Sequence, residues 1–336
     1  MSQQPIRITT ATDVLDVIPA LLGFYPTESL CAIALQNAPS GGQTVAVTAR
    51  ADLPTSPEAL TGAHTLLATF LQRYDTLVLV AYSLDLEAAR TVLQHLLGPL
   101  DPDRLQTVLI AGPQGWTHLY PHQPDAVQET NPYPQQTSAA ATAAAATAAA
   151  VAGLAAHGTR DDLADSIAVP DAASTAAFQE AYRAEAVPAQ PTAAQVAVMA
   201  REVTEYVRAY LAQPCTTTTT TTDVAAFLAA RIQHVTVRDI AWALMDRPTG
   251  RLHADLWRGV AALTPNTEVV LPVLGLLGMG GWVSGDGALA NVALERAADV
   301  PGQDRYTMLR LLAEVIERAV PPTAWDDMVT DLRRIL

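Results

Sequence analysis

The chain has 336 residues, half of them hydrophobic, and a net charge of −14. It is long enough for two domains with proper cores and too apolar for disorder to be the default, and so acidic a chain has no electrostatic reason to seek nucleic acid or anionic lipid. All 20 basic residues are arginine, which argues against the usual P-loop ATPases, pyridoxal enzymes, Schiff-base aldolases and protein kinases, because each needs a lysine.

The two cysteines, Cys31 and Cys215, lie far apart and neither belongs to a Cys-x-x-Cys pair. A structural zinc site or a disulfide framework is not expected. The N-terminus shows no basic-then-apolar signal pattern, and no apolar run approaches the ~20 residues of a membrane span, so a soluble cytoplasmic protein is predicted. The one local basic patch is Arg333-Arg334.

In chain order, residues 12–22 show helical spacing at Val14, Leu15, Ile18, Leu21 and Leu22, with Thr12 or Asp13 as cap and Gly23 in the left-handed position beyond the end. Gly23-Phe24-Tyr25-Pro26 then leads through Glu28-Ser29 into a strand. The economical reading is a stiff corner in which Phe24 and Tyr25 pin the helix to a sheet and Pro26 stiffens the turn. Strands at 29–36 and 44–51 flank a hairpin signal at 37–42. Pro57 opens a helix running to Arg73, 76–84 is a buried strand, and Asp85 starts a helix that Gly98-Pro99 stops. A strand at 105–112 and a short edge strand at 116–120 follow. Strands separated by helices of this length imply parallel pairs with right-handed crossovers inside a mixed sheet.

Residues 121–137 are rich in proline and polar side chains and read as linker; 138–156 is an alanine-rich helix by propensity. From about 190 the pattern is helical. A long helix spans 192–212, and Pro214 and the threonines 216–222 interrupt it, ending in a cap for a helix at Asp223. Further helices are expected near 236–246, 250–263, 268–279, 286–298, 303–319 and 323–335. The predicted fold is an α/β domain with a mixed sheet (1–125), a linker with an alanine-rich helix (126–190), and an all-helical domain (191–336).

Four features invite a chemical reading. His118-x-x-x-His122 has metal-binding spacing on a helix, but Pro121 denies the helix, so no metal is expected. The glycine-rich stretch 275–287 lacks the preceding strand of a phosphate cradle and reads as close helix packing. Residues 285–302 resemble the second helix of a tetratricopeptide unit without a second copy. Ser29 beside Glu28 suggests a nucleophile, but Gly-x-Ser-x-Gly is absent and no histidine can be assigned. No catalytic residue and no cofactor is predicted.

The run "DVLDVIPALLGFYPTESLCAIAL" resembles the opening of an actinobacterial family, the Domain of Unknown Function 4192 proteins. Pro19, Leu21, Leu22, Gly23, Phe24, Pro26, Ser29 and Leu30 match its proline-x-leucine-leucine-glycine-phenylalanine-x-proline-x-x-serine-leucine segment. "ARADLP", "LVLVAY", "GWVSGDGALANVALERA", Tyr306 and "AVPPTAW" are similar to its later runs, so the resemblance brackets nearly the whole chain. Many members carry a cysteine pair after the tryptophan-containing strand. "WTHLYPHQPDAVQ" has none, so no metal or redox role carries over. The resemblance implies architecture and supplies no chemistry.

Two functions are therefore expected. The first is a non-catalytic interaction or scaffold protein with a protein partner or with itself, binding neither nucleic acid nor membrane. The second is a small-molecule-binding or hydrolytic protein with its site at the carboxyl edge of the sheet, where Glu28, Ser29, Tyr82, Ser83 and Asp85 gather with Ala111-Gly112. A concave pocket with convergent polar groups at that edge discriminates them.

Overall fold

The computed structural model describes residues 10–22, 24–38, 41–123, 126, 130–132, 159–212 and 220–335. The chain divides into two compact units, Met1–Arg160 and Asp161–Leu336. The expectations for Gly23, the alanine-rich helix at 138–156 and Cys215 lie outside the described residues.

In the first unit, α1 (Ala11–Leu22) is capped by Thr10 rather than by Thr12 or Asp13. The Thr10 hydroxyl accepts from the Asp13 N–H at 3.1 Å, and the Asp13 carboxylate accepts from the Thr10 N–H at 2.9 Å, a reciprocal box. β1 (Ser29–Asn37) and β2 (Gln43–Asp52) form the expected antiparallel hairpin. β3 (Thr76–Tyr82) lies antiparallel on the other side of β1, β4 (Leu105–Gly112) is parallel to β3, and β5 (Gly115–His118) is antiparallel to β4. The sheet order is β2-β1-β3-β4-β5, a mixed five-stranded sheet.

β2 and β3 are both antiparallel to β1, so they run parallel to each other with β1 between them. Helix α2 (Pro57–Arg73) crosses from β2 to β3, and α3 (Leu86–Leu97) from β3 to β4. Both steps advance the same way across the sheet, so right-handed crossovers put both helices on one face, where they touch. Leu67 and Phe70 of α2 and Leu93 and Leu96 of α3 fill the layer against the sheet. Ser29–Leu35 of β1 is buried without a break, as a central strand covered on both faces must be.

Every described helix and turn of the second unit lacks strand pairing, as the helical pattern from 190 predicts. Its helices are α4 (Arg160–Asp165), α5 (Ala172–Ala184), α6 (Ala193–Leu211), α7 (Thr222–Arg231), α8 (Val235–Ala243), α9 (Gly250–Leu263), α10 (Val270–Ser284), α11 (Gly287–Ala298), α12 (Thr307–Glu317) and α13 (Trp325–Ile335). Helices α4 and α5 lie upstream of the helical span expected from 191, and α5 packs on α7. Thr221 caps α7 through its hydroxyl, so the threonine tract ends as the sequence suggests.

Helix α10 is the centre. Val270–Val283 is buried on every side, the pattern of a helix enclosed by others. A Cβ on Gly280 would lie 3.0 Å from the Ala254 nitrogen of α9, and Gly285, at φ +84°, closes α10 in the left-handed form. The glycine-rich stretch therefore serves close packing. Helix α11 packs chiefly on α10 and only lightly on α12, so the region is built around a central helix and gives no support to a tetratricopeptide hairpin.

Candidate functional site

The corner between α1 and β1 meets the carboxyl ends of β3 and β4. Phe24 is 1% exposed and anchors the corner, whereas Tyr25 is 65% exposed and points outward, so only one of the two aromatics pins the helix. Glu28 adopts φ +41°, a left-handed backbone that a non-glycine residue keeps only when its surroundings hold it there. They do so three times. Its carboxylate accepts from the Ser83 hydroxyl at 2.9 Å and from the Leu84 amide at 2.7 Å. Its carbonyl accepts from the Leu53 amide at 2.8 Å. One residue thus ties the corner to the ends of β2 and β3.

Ser83 is buried. Its hydroxyl also accepts from the Asp85 amide at 3.0 Å, and its own amide donates to the Ala111 carbonyl at 3.0 Å. A Cβ at Gly112 would sit 2.6 Å from the Ser83 carbonyl oxygen, so only glycine lets β4 end so close. Asp85 caps α3, its carboxylate accepting from the Glu87 and Ala88 amides at 3.1 and 3.0 Å. The N-terminus of α3, which would attract a ligand anion, is therefore occupied by two carboxylates of the chain itself.

Ser29 is fully buried and is not activated. Its hydroxyl donates to the Thr27 carbonyl at 2.6 Å and accepts from Arg50 Nε at 2.8 Å, while Arg50 also pairs with Asp52 at 2.6 Å. A hydroxyl that gives its proton to a carbonyl beside a guanidinium has no base to deprotonate it. Glu28, its neighbour in sequence, faces Ser83 instead. Tyr82 lies opposite Ser29 in the β1–β3 register. Burial pushes the Cys31 thiol up to about 12, so it holds no thiolate at neutral pH.

Beside this network runs a groove of about 440 Å³, walled by Leu53, Pro54, Leu60, Leu84, Val92 and His95, with Glu28, Ser83 and Asp85 on its rim. Ala88, Thr91, Val92 and His95 share one face of α3 at helical spacing, a signal present in the sequence but not singled out there. The Thr91 carbonyl lies 2.8 Å from His95 Nδ1, and a carbonyl only accepts, so the proton sits on Nδ1. Of the five residues predicted at this edge, Glu28, Ser83 and Asp85 reach the groove. A smaller groove of about 300 Å³ in the second unit runs past Arg231, whose guanidinium is held by Glu185 at 2.6 Å and Glu202 at 2.7 Å.

The histidine pair is not brought together. His118 lies in a ring ladder between Trp116 and Tyr120, with centroids 5.2 and 5.8 Å away, and burial lowers its pKa. His122 faces Asp103 at 3.4 Å. Among the described residues no group of three or more His, Cys, Asp or Glu side chains is disposed to hold a metal ion, and no helix is long and apolar enough to cross a membrane.

Compared with known proteins, the chain matches one family profile, described as Domain of unknown function (DUF4192), over residues 12–323. No curated protein and no solved structure matches it.

Proposed function

The chain belongs to the Domain of unknown function (DUF4192) family, a description that assigns no chemistry, and from that premise we propose that it is a non-catalytic interaction protein that holds a segment of a partner protein at the carboxyl edge of its sheet. The observation that supports this most is the state of the polar groups there. Acid–base or nucleophilic work needs a group with a proton or lone pair aimed at a substrate. Here Glu28, Ser83, Asp85 and Ser29 are committed to one another and to the backbone. The large apolar side chain that faces outward there is Leu84, beside the groove and 78% exposed. The segment that suits the groove has a bulky apolar side chain next to an arginine or lysine, because Glu28 and Asp85 line the groove and the chain carries −14 overall. A cytoplasmic location and an actinobacterial source go with this proposal and rest on sequence alone.

The second function, small-molecule binding or hydrolysis, is favoured by the groove's place beyond the carboxyl ends of the parallel strands β3 and β4, with His95 on its wall. Peptide display separates the two. Random peptides selected on the full chain should enrich apolar-plus-basic sequences. Leu84→Asp should lose them while changing stability by less than about 0.5 kcal/mol, as expected of an exposed position. Absence of such peptides, or unchanged binding by Leu84→Asp, would sink the interaction reading. Ester hydrolysis abolished by Ser83→Ala would establish the other.

A further inference from the structure

The two edges of the sheet differ. β5 is four residues long, and Asn131 bridges it: the Trp116 N–H donates to the Asn131 carbonyl at 2.8 Å and the Asn131 N–H to the Trp116 carbonyl at 2.7 Å. β2 is ten residues long and, among the described residues, pairs only with β1. Among the described residues no strand or loop backbone bonds to its outer side. Proteins blunt such edges with lysine, proline, inward-pointing charge or a bulge. From Gln43 to Ala49 there is no charge and no proline, and most residues are β-branched threonine and valine. The charges of β2, Arg50 and Asp52, sit at its far end and pair with each other. A bulge at Ala46, where Val45 and Val47 face consecutive residues of β1, is the one device present among the described residues.

We propose that β2 pairs with β2 of a second copy, antiparallel about a two-fold axis at Ala46, making one continuous sheet from two. The occupant is specified by the sequence of the strand. Thr44-Val45-Ala46-Val47-Thr48 reads the same in both directions. A two-fold pairing of a strand with itself sets each residue opposite its mirror image. Thr44 then faces Thr48 of the other copy, Val45 faces Val47, and Ala46 faces Ala46. Threonine–threonine and valine–valine are favourable cross-strand pairs. No like charges meet, so two chains of −14 approach along a neutral strip. The bulge falls on the axis and bends both copies alike. Some seven residues a side bury well under the roughly 1,200–2,000 Å² of a stable interface, so the dimer is weak and depends on concentration. Salt strengthens it by screening the net repulsion while leaving strand pairing intact. None of this depends on the groove beside Leu84.

Sedimentation velocity on the full chain tests the pairing at about 0.01 M and about 1 M salt, between which the screening length falls from roughly 30 to 3 Å. The expected result is a concentration-dependent dimer, more populated at high salt, whose dissociation constant rises at least about tenfold in Val45→Lys, the edge-blocking residue type. Val45 is 40% exposed, so the variant should fold; if circular dichroism shows otherwise, Thr44→Lys, also exposed, takes its place. In a Cys215→Ser background, Ala46→Cys should oxidise to a disulfide-linked dimer, since directly opposed residues lie about 4.5–5.5 Å apart, within bonding range. Leu84→Cys should not, and Leu84→Asp should leave the dimer untouched. A monomer at hundreds of micromolar in both salts, or a dimer that a folded Val45→Lys leaves unchanged, overturns the proposal.

Discussion

The corner of the first unit and the interior of the second treat polar groups in opposite ways. At the corner, Glu28, Ser83 and Asp85 form a network that reaches solvent on its Glu28 and Asp85 side. Inside the second unit, polar groups are enclosed. Arg296 donates to the carbonyls of Ile167 at 2.7 Å, Ala261 at 2.7 Å and Thr264 at 2.6 Å, with no carboxylate against it among the described residues. Arg251 and Asp286 form a buried pair at 2.8 Å. His253 is fully enclosed, and the Leu244 carbonyl comes near its ring without meeting hydrogen-bond geometry. Near water, solvent replaces a lost partner; in the interior nothing does, and the desolvation of each group has to be offset by a specific neighbour. Single polar substitutions should therefore be felt far more in the second unit than at the corner.

The largest effect expected is that of Arg296→Ala. It takes the guanidinium from three buried carbonyls at the end of α9 and the turn after α4, of which that of Ala261 keeps the Thr264 N–H, and should cost on the order of 4–5 kcal/mol in urea denaturation. A cost under about 1 kcal/mol would break the comparison. Next comes an apolar control at the corner: Phe24→Ala removes its buried aromatic anchor and should cost roughly 4 kcal/mol, which would mark the corner as held by packing first and polar bonds second.

The third effect depends on pH. Burial lowers the His253 pKa to about 4, with Asp246 opposing the shift. In the unfolded chain the ring takes up its proton near the ordinary value of about 6.5. The folded form thus binds fewer protons between these values, and stability is full above about 6.5 and is lost as pH falls through about 4, by about 3 kcal/mol in all. Thermal midpoints measured across that window should fall with acid, and His253→Leu should flatten the slope. An unchanged slope would mean that other groups govern the acid limb. The smallest effect sharpens the contrast from the other side. Ser29→Ala removes one bond from Arg50, which keeps Asp52, and should cost about 1 kcal/mol by the same denaturation assay.

Element type and order were legible in the sequence because they follow from local rules. The Pro57 start, the Asp85 cap and the Gly98 stop each act within one turn, and the apolar runs of β1, β3 and β4 announce buried strands. That Tyr82, Ser83 and Asp85 end a strand and begin a helix at the edge of the sheet was legible too. Helix α5 was missed because its apolar stripe is thin, with Phe178 its one buried side chain.

By itself, then, the sequence determined the helices and strands of the first unit, the helices of the second from residue 192 onward, and that the sheet is mixed, because backbone period, capping and crossover length are local properties. Only the tertiary structure decided that Glu28 serves Ser83, 55 residues away, that Phe24 turns in while Tyr25 turns out, and that Arg296 finds three carbonyls instead of a carboxylate. The physical reason is one of range. A hydrogen bond acts over about 3 Å, and which groups come within that distance is set by how distant segments pack, a matter on which neighbours in sequence carry little information.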